Sequence, residues 1–123
     1  MFTNNRYIPI LFYHNVGNEK HKSFITIREF DRQMKFLKDR GCNTSSCDSL
    51  DSQSGNISIT FDDGYKENFL NAKAILDKHK LKATFFLNSS TIDNRNFMWR
   101  DALTYLNNKI DDKRILNSFK NDI

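Results

Sequence analysis

Along the chain, apolar residues fall into short unbroken runs separated by longer stretches in which they return every three or four positions. The first run, "IPILFY" at positions 8–13, has the length and content of a strand buried on both faces. It gives way to His14 and the turn-like "NVGNEKHKS". Thr26 followed three residues later by Glu29 is the pattern of a capping box. Ile27, Phe30, Met34 and Leu37 then recur at helical spacing, and Gly41 stands where such a helix stops. A weak strand over Cys42–Ser46 and a polar loop, "DSLDSQSGN", come next. "ISITF" at 57–61 predicts another strand, which ends on Asp62, Asp63 and Gly64. Tyr65, Phe69, Ala72, Ile75 and Leu76 mark the apolar face of a helix over 65–80. "KATFFL" at 82–87 reads as a further buried strand, followed by a polar loop and a short helix over "FMWRDALTYLNN". In the tail, Ile115, Leu116 and Phe119 fall on the inner side of one more helical turn or two.

Strands alternating with helices predict an α/β architecture with parallel strands. In such folds functional groups gather at the carboxyl ends of the strands. His14 and the Asp62–Asp63 pair both stand at such ends. Composition keeps this within a soluble globular class, one domain at most or part of one: 123 residues, 38% hydrophobic, 28% charged and 13% aromatic. The net charge of +4 is spread over helix-like stretches with no basic block, which argues against a nucleic-acid face. No run approaches the roughly 20 apolar residues of a membrane span. The first residues make a poor secretory signal, so a cytoplasmic location is expected. Cys42 and Cys47 match no zinc spacing and read as free thiols. His21 in a polar loop and His79 near a helix end read as surface residues, and Trp99 on its short helix reads as packing before it reads as a sugar platform.

Two adjacent carboxylates at the end of a core strand raise each other's cost of ionisation. They have three physical uses: binding a cation, dividing metal binding from proton transfer, or capping the following helix. Capping is favourable by about 0.3–1 kcal/mol, and one aspartate suffices for it. A phosphoacceptor receiver domain also places an acidic pair after a strand. That pair follows the first strand, however, and here it falls near the middle of the chain.

"FYHNV" at 12–16, "TFDDG" at 60–64 and "KATFFL" at 82–87, in that order, resemble the polysaccharide deacetylase family, the NodB-like carbohydrate esterases. "MW" followed by "RDAL" has the same flavour, so the likeness runs from about Ile8 to about Leu103. The resemblance implies a distorted (β/α) barrel and metal-dependent removal of N-acetyl groups from an N-acetylated oligo- or polysaccharide. It makes Asp62 the general base and Asp63 a ligand to a divalent metal, usually zinc. The chemistry is coherent, because a cation lowers the pKa of bound water and polarises the amide while a neighbouring carboxylate takes a proton. Gly64 would allow a sharp turn out of the strand. His14 resembles the histidine of the family's "YH" signature. With Tyr65 it is a candidate substrate contact, and His14 satisfied by backbone partners is the plainer alternative.

Other family features have no counterpart among these residues. The family's H-[ST]-x-x-H pair, whose spacing sets two imidazoles on one helix face, is absent, since only His14, His21 and His79 occur. The expectation is therefore an incomplete barrel. Residues 1–123 would form the amino-terminal portion of one deacetylase-like domain, a truncated form lacking the histidine ligands and binding metal weakly. Such a form carries open sheet edges through which copies could associate. The alternative is a non-catalytic remnant or subunit with a partial carbohydrate-binding cleft.

Overall fold

The computed structural model describes residues 8–18, 24–49, 57–92 and 98–109. The chain divides into two compact units, Met1–Asn88 and Ser89–Ile123. In chain order the first unit holds β1 (Ile10–Tyr13), β2 (Asn15–Val16), β3 (Phe24–Ile25), α1 (Ile27–Asp39), β4 (Thr44–Ser45), β5 (Ile57–Phe61), α2 (Lys73–His79) and β6 (Thr84–Phe85). The second unit holds α3 (Trp99–Lys109). The expected tail helix, residues 110–123, and His21 lie outside the described residues.

β5 is the centre of a wholly parallel sheet, and all five of its residues are buried. β1 runs along one edge, with Tyr13 opposite Phe61. The other edge is shared, because β4 pairs with the start of β5 and β6 with its end. Parallel neighbours need crossover connections. α1 lies on the path from β1 to β4, and α2 on the path from β5 to β6. The α/β class with parallel strands that the alternation predicts is therefore the one observed. Phe30, Met34 and Leu37 of α1 join Ile57, Ile59 and Phe61 of β5 and Ile75 and Leu76 of α2 in one core. At its heart the Phe61 ring stacks on Phe85 at 4.7 Å and on Tyr13 at 5.5 Å, with Phe30 edge-on at 5.7 Å.

α1 begins where its pattern predicts. The Thr26 hydroxyl accepts from the Glu29 amide at 3.2 Å. The Glu29 carboxylate takes Arg32 rather than closing the capping box. The helix ends in a Schellman turn: Gly41 stands at φ +67°, its N–H reaches the Lys38 carbonyl at 3.0 Å, and the Cys42 N–H reaches that of Leu37 at 3.0 Å. The thiols of Cys42 and Cys47 are both free.

Four expectations need correction. β1 is not covered on both faces, since Ile10 and Phe12 are 51% and 66% exposed while Leu11 and Tyr13 pack against the core. An apolar run alone does not say how many faces are covered. "KATFFL" pairs only at Thr84 and Phe85, and Phe86 and Leu87 project outward. In the helix after β5, Phe69 is exposed, because residues Asn68–Ala72 form a π-turn that turns Asn68 and Ala72 to the core instead. His79 is buried rather than superficial. Its Nε2–H donates to Asp31 Oδ1 at 2.7 Å, and Lys78 Nζ donates to both oxygens at 2.9 Å. These bonds, from Lys78 first and then His79, hold the Asp31 carboxyl below the usual carboxylate range. The partner that buries His79 stands 48 residues away on α1, beyond the reach of any local pattern.

The second unit contributes a regular helix, with the Ala102 N–H bonded to the Met98 carbonyl at 2.9 Å. Trp99 is 61% exposed and has the Arg100 guanidinium over its ring at 5.7 Å.

Candidate active site

The register of the sheet brings the candidate residues together. Tyr13, Phe61 and Phe85 stand side by side across three strands, so the residues that follow each of them emerge at one end of the sheet. The strands stay tied there, with the Asp62 N–H on the Tyr13 carbonyl at 3.0 Å and the Phe86 N–H on the Phe61 carbonyl at 2.7 Å. His14 leaves β1 and Asp62 leaves β5 at this edge.

Asp63 and Gly64 make the turn out of β5 with φ of +72° and +71°. Only a few residue types accept this backbone without strain, aspartate tolerably and glycine freely. The space at 64 is also narrow. A Cβ there would sit 3.2 Å from Leu87 Cδ2 and 3.5 Å from Leu87 Cα, so the turn presses against the chain leaving β6. This turn carries the Asp63 carboxylate toward β1, where His14 Nδ1 lies 2.9 Å from Asp63 Oδ2. A carboxylate oxygen accepts, so Nδ1 donates in this bond and Nε2 points away from Asp63. The His14 and Asp63 side chains are 24% and 18% exposed, half-sheltered at the end of the sheet. The Asp62 carboxylate is likewise half-buried and has no hydrogen-bond or ion-pair partner among the described residues. Tyr65 is half-buried and packs its ring edge-on to Phe24 at 5.9 Å.

Of the four residues expected from the sequence, His14 and Asp63 are in contact, Asp62 is adjacent, and Tyr65 follows on the same turn. Periodicity missed Asn68. It is 1% exposed, its Oδ1 accepts from the Val16 N–H at 3.1 Å, and its Nδ2 donates to the His14 carbonyl at 2.7 Å. Asn71 Nδ2 adds a bond to the Val16 carbonyl at 2.8 Å. Both asparagines tie the loop after β1 to the helix after β5. A polar residue on an apolar helix face was the only signal for Asn68, and local periodicity discards it.

As a metal centre the site is short of donors. Among the described residues no group of three or more His, Cys, Asp or Glu side chains could hold an ion. His14 also spends Nδ1 on Asp63. The carboxylate of Asp63 is one suitable oxygen donor, and zinc takes three or four protein ligands in its known sites.

The sequence profile of the polysaccharide deacetylase family matches residues 50–113. The Bacillus subtilis (strain 168) protein YxkH, which carries a polysaccharide deacetylase name, is 30% identical over 104 residues, covering 78% of this chain and 37% of its own length. A crystal structure of a polysaccharide deacetylase from Bacillus cereus superposes with a TM-score of 0.60 at 28% identity, covering 74% of this chain and 32% of that one. A protein of the same family name from Bacillus anthracis gives 0.61 at 30% identity, with the same coverage. The profile match and these likenesses define a deacetylase-family α/β fold. The chain belongs to the polysaccharide deacetylase family. It spans about a third of the length of these relatives.

Proposed function

We propose that this polypeptide supplies the carboxylate part of the active site of a hydrolase that removes N-acetyl groups from an amino-sugar glycan. The supporting observation is the end of β5, where one carboxylate is held by His14 and its neighbour has no partner among the described residues. In this reading Asp62 is the general base. It takes a proton as water adds to the acetyl carbon, and the carbon–nitrogen bond then breaks as that proton passes to the departing nitrogen, leaving acetate and a free amine. Asp63, oriented by His14, would be the carboxylate offered to a divalent cation, zinc by family resemblance, and such an ion would supply polarisation of the acetyl carbonyl. The described residues do not assemble such a centre themselves. His14, through Nε2, and Tyr65 contact the sugar at the rim, on the amino-terminal part of a distorted (β/α) barrel. The same shortage of donors favours a second reading, a non-catalytic part that keeps some of the sugar cleft or joins another chain along its open sheet edge.

Two preparations separate the readings. The chain alone, supplied with zinc and N-acetylated chito-oligosaccharides, is expected to release no acetate. A chimaera in which residues 8–88 replace the matching segment of the Bacillus cereus deacetylase is expected to release it, and Asp62→Asn to lower that rate by at least about 100-fold. Acetate release by the isolated chain that requires Asp62 would end the second reading. A folded chimaera that is inactive with Asp62 in place would end the first.

A further inference from the structure

We propose that Asn68 is a positioning residue, its side-chain amide fixing the loop after β1 so that His14 meets Asp63. The proposal deepens the deacetylase reading and takes its functional meaning from it, yet its geometry can be tested without activity. His14 lies between β1, which pairs with β5, and β2, which pairs in parallel with β3, and itself pairs with neither β5 nor β3. Asn68 holds both sides of that gap, with the His14 carbonyl on Nδ2 at 2.7 Å and the Val16 N–H on Oδ1 at 3.1 Å. Val16 is fully buried and Asn68 nearly so, and the bond to Val16 is therefore closed to water while that to the His14 carbonyl is part-buried. A side-chain amide offers a donor and an acceptor side by side on one rigid plane, whereas a carboxylate only accepts and an aliphatic chain does neither.

The π-turn makes the reach possible. It brings Asn68 to the core side of the helix that begins directly after the Asp62–Gly64 turn. One end of this short segment thus carries Asp63, and the other holds the backbone of its histidine partner. π-turns of this kind recur at functional sites. Asn71 bonds the same loop through the Val16 carbonyl and makes no bond to His14, which supplies an internal control.

The test is nuclear magnetic resonance of the whole chain labelled with 15N-histidine, read at the His14 ring nitrogens. Asp63→Gly suits the left-handed backbone at 63 and gives the reference spectrum of an unpaired His14. Asn68→Asp keeps an acceptor for Val16 and loses the donor to His14. It is expected to move the His14 signals most of the way to that reference and to leave those of His79 in place. Asn71→Ala is expected to leave His14 unmoved. His14 signals unchanged in folded Asn68→Asp, or moved equally by Asn71→Ala, would overturn the proposal. Should Asn68→Asp fail to fold, the unmodified chain decides the matter. The Asn68 side-chain amide protons are expected to exchange slowly with deuterium, and exchange as fast as in an unstructured asparagine refutes the clamp. Failure here leaves the role of Asp62 standing, because that rests on acetate release by the chimaera.

Discussion

The two faces of the sheet make different use of similar residues. One carries Leu11 and Tyr13, Ile57, Ile59 and Phe61, and Phe85, all within or against the core formed with α1 and α2. By alternation and register the other carries Ile10 and Phe12, Ser58 and Thr60, and Thr84. There the two large apolar residues are more than half exposed, while Ser58 and Thr60 of the central strand are buried, with the Ser58 hydroxyl bonded to the Ser45 carbonyl at 3.2 Å. The helix-covered face supplies the stability. The other face is small and polar at its centre, and the paired aspartates stand at its end. What covers a strand, more than how apolar it is, decides how its side chains are used.

The contrast can be broken most severely at Phe61. Replacing this ring, 1% exposed among three aromatic neighbours, with alanine is expected to cost about 3–5 kcal/mol in chemical denaturation. A smaller effect is expected at Tyr13, whose hydroxyl donates to Gln33 Oε1 at 2.7 Å and whose burial pushes its pKa up to about 12. The folded state holds this proton more tightly than the unfolded chain, whose tyrosines titrate near 10. The stability it contributes is therefore complete below about pH 10 and is lost as pH rises from there through about 12. Tyr13→Phe should remove that alkaline loss, measured as unfolding midpoint against pH. The smallest effect is expected on the exposed face. Phe12→Ser should change stability by no more than about 0.5 kcal/mol. A loss above about 2 kcal/mol, growing with protein concentration, would mean that this face is covered in solution by another copy.

Much of this was legible in the residues. Thr26 and Gly41 bounded α1 because caps and left-handed turns are chemically specific. Asp62, Asp63 and His14 announced themselves as charges and a histidine at strand ends, where folding alone has little use for them. What stayed hidden depends on distant partners. The burial of His79 goes with Asp31, that of Asn68 with the backbone of His14 and Val16, and the exposure of Ile10 and Phe12 with the turning of Leu11 and Tyr13 to the core. None of these conditions is written within a helical or strand period.

The positive φ of Asp63 carries a consequence for which variants survive. A non-glycine residue in this backbone costs on the order of 1 kcal/mol, which glycine would avoid. A library of this chain screened only for folding would therefore drift away from aspartate at position 63. Persistence of the carboxylate there under a screen for sugar binding or turnover, and its loss without one, would separate what the molecule needs to stand from what it needs to work.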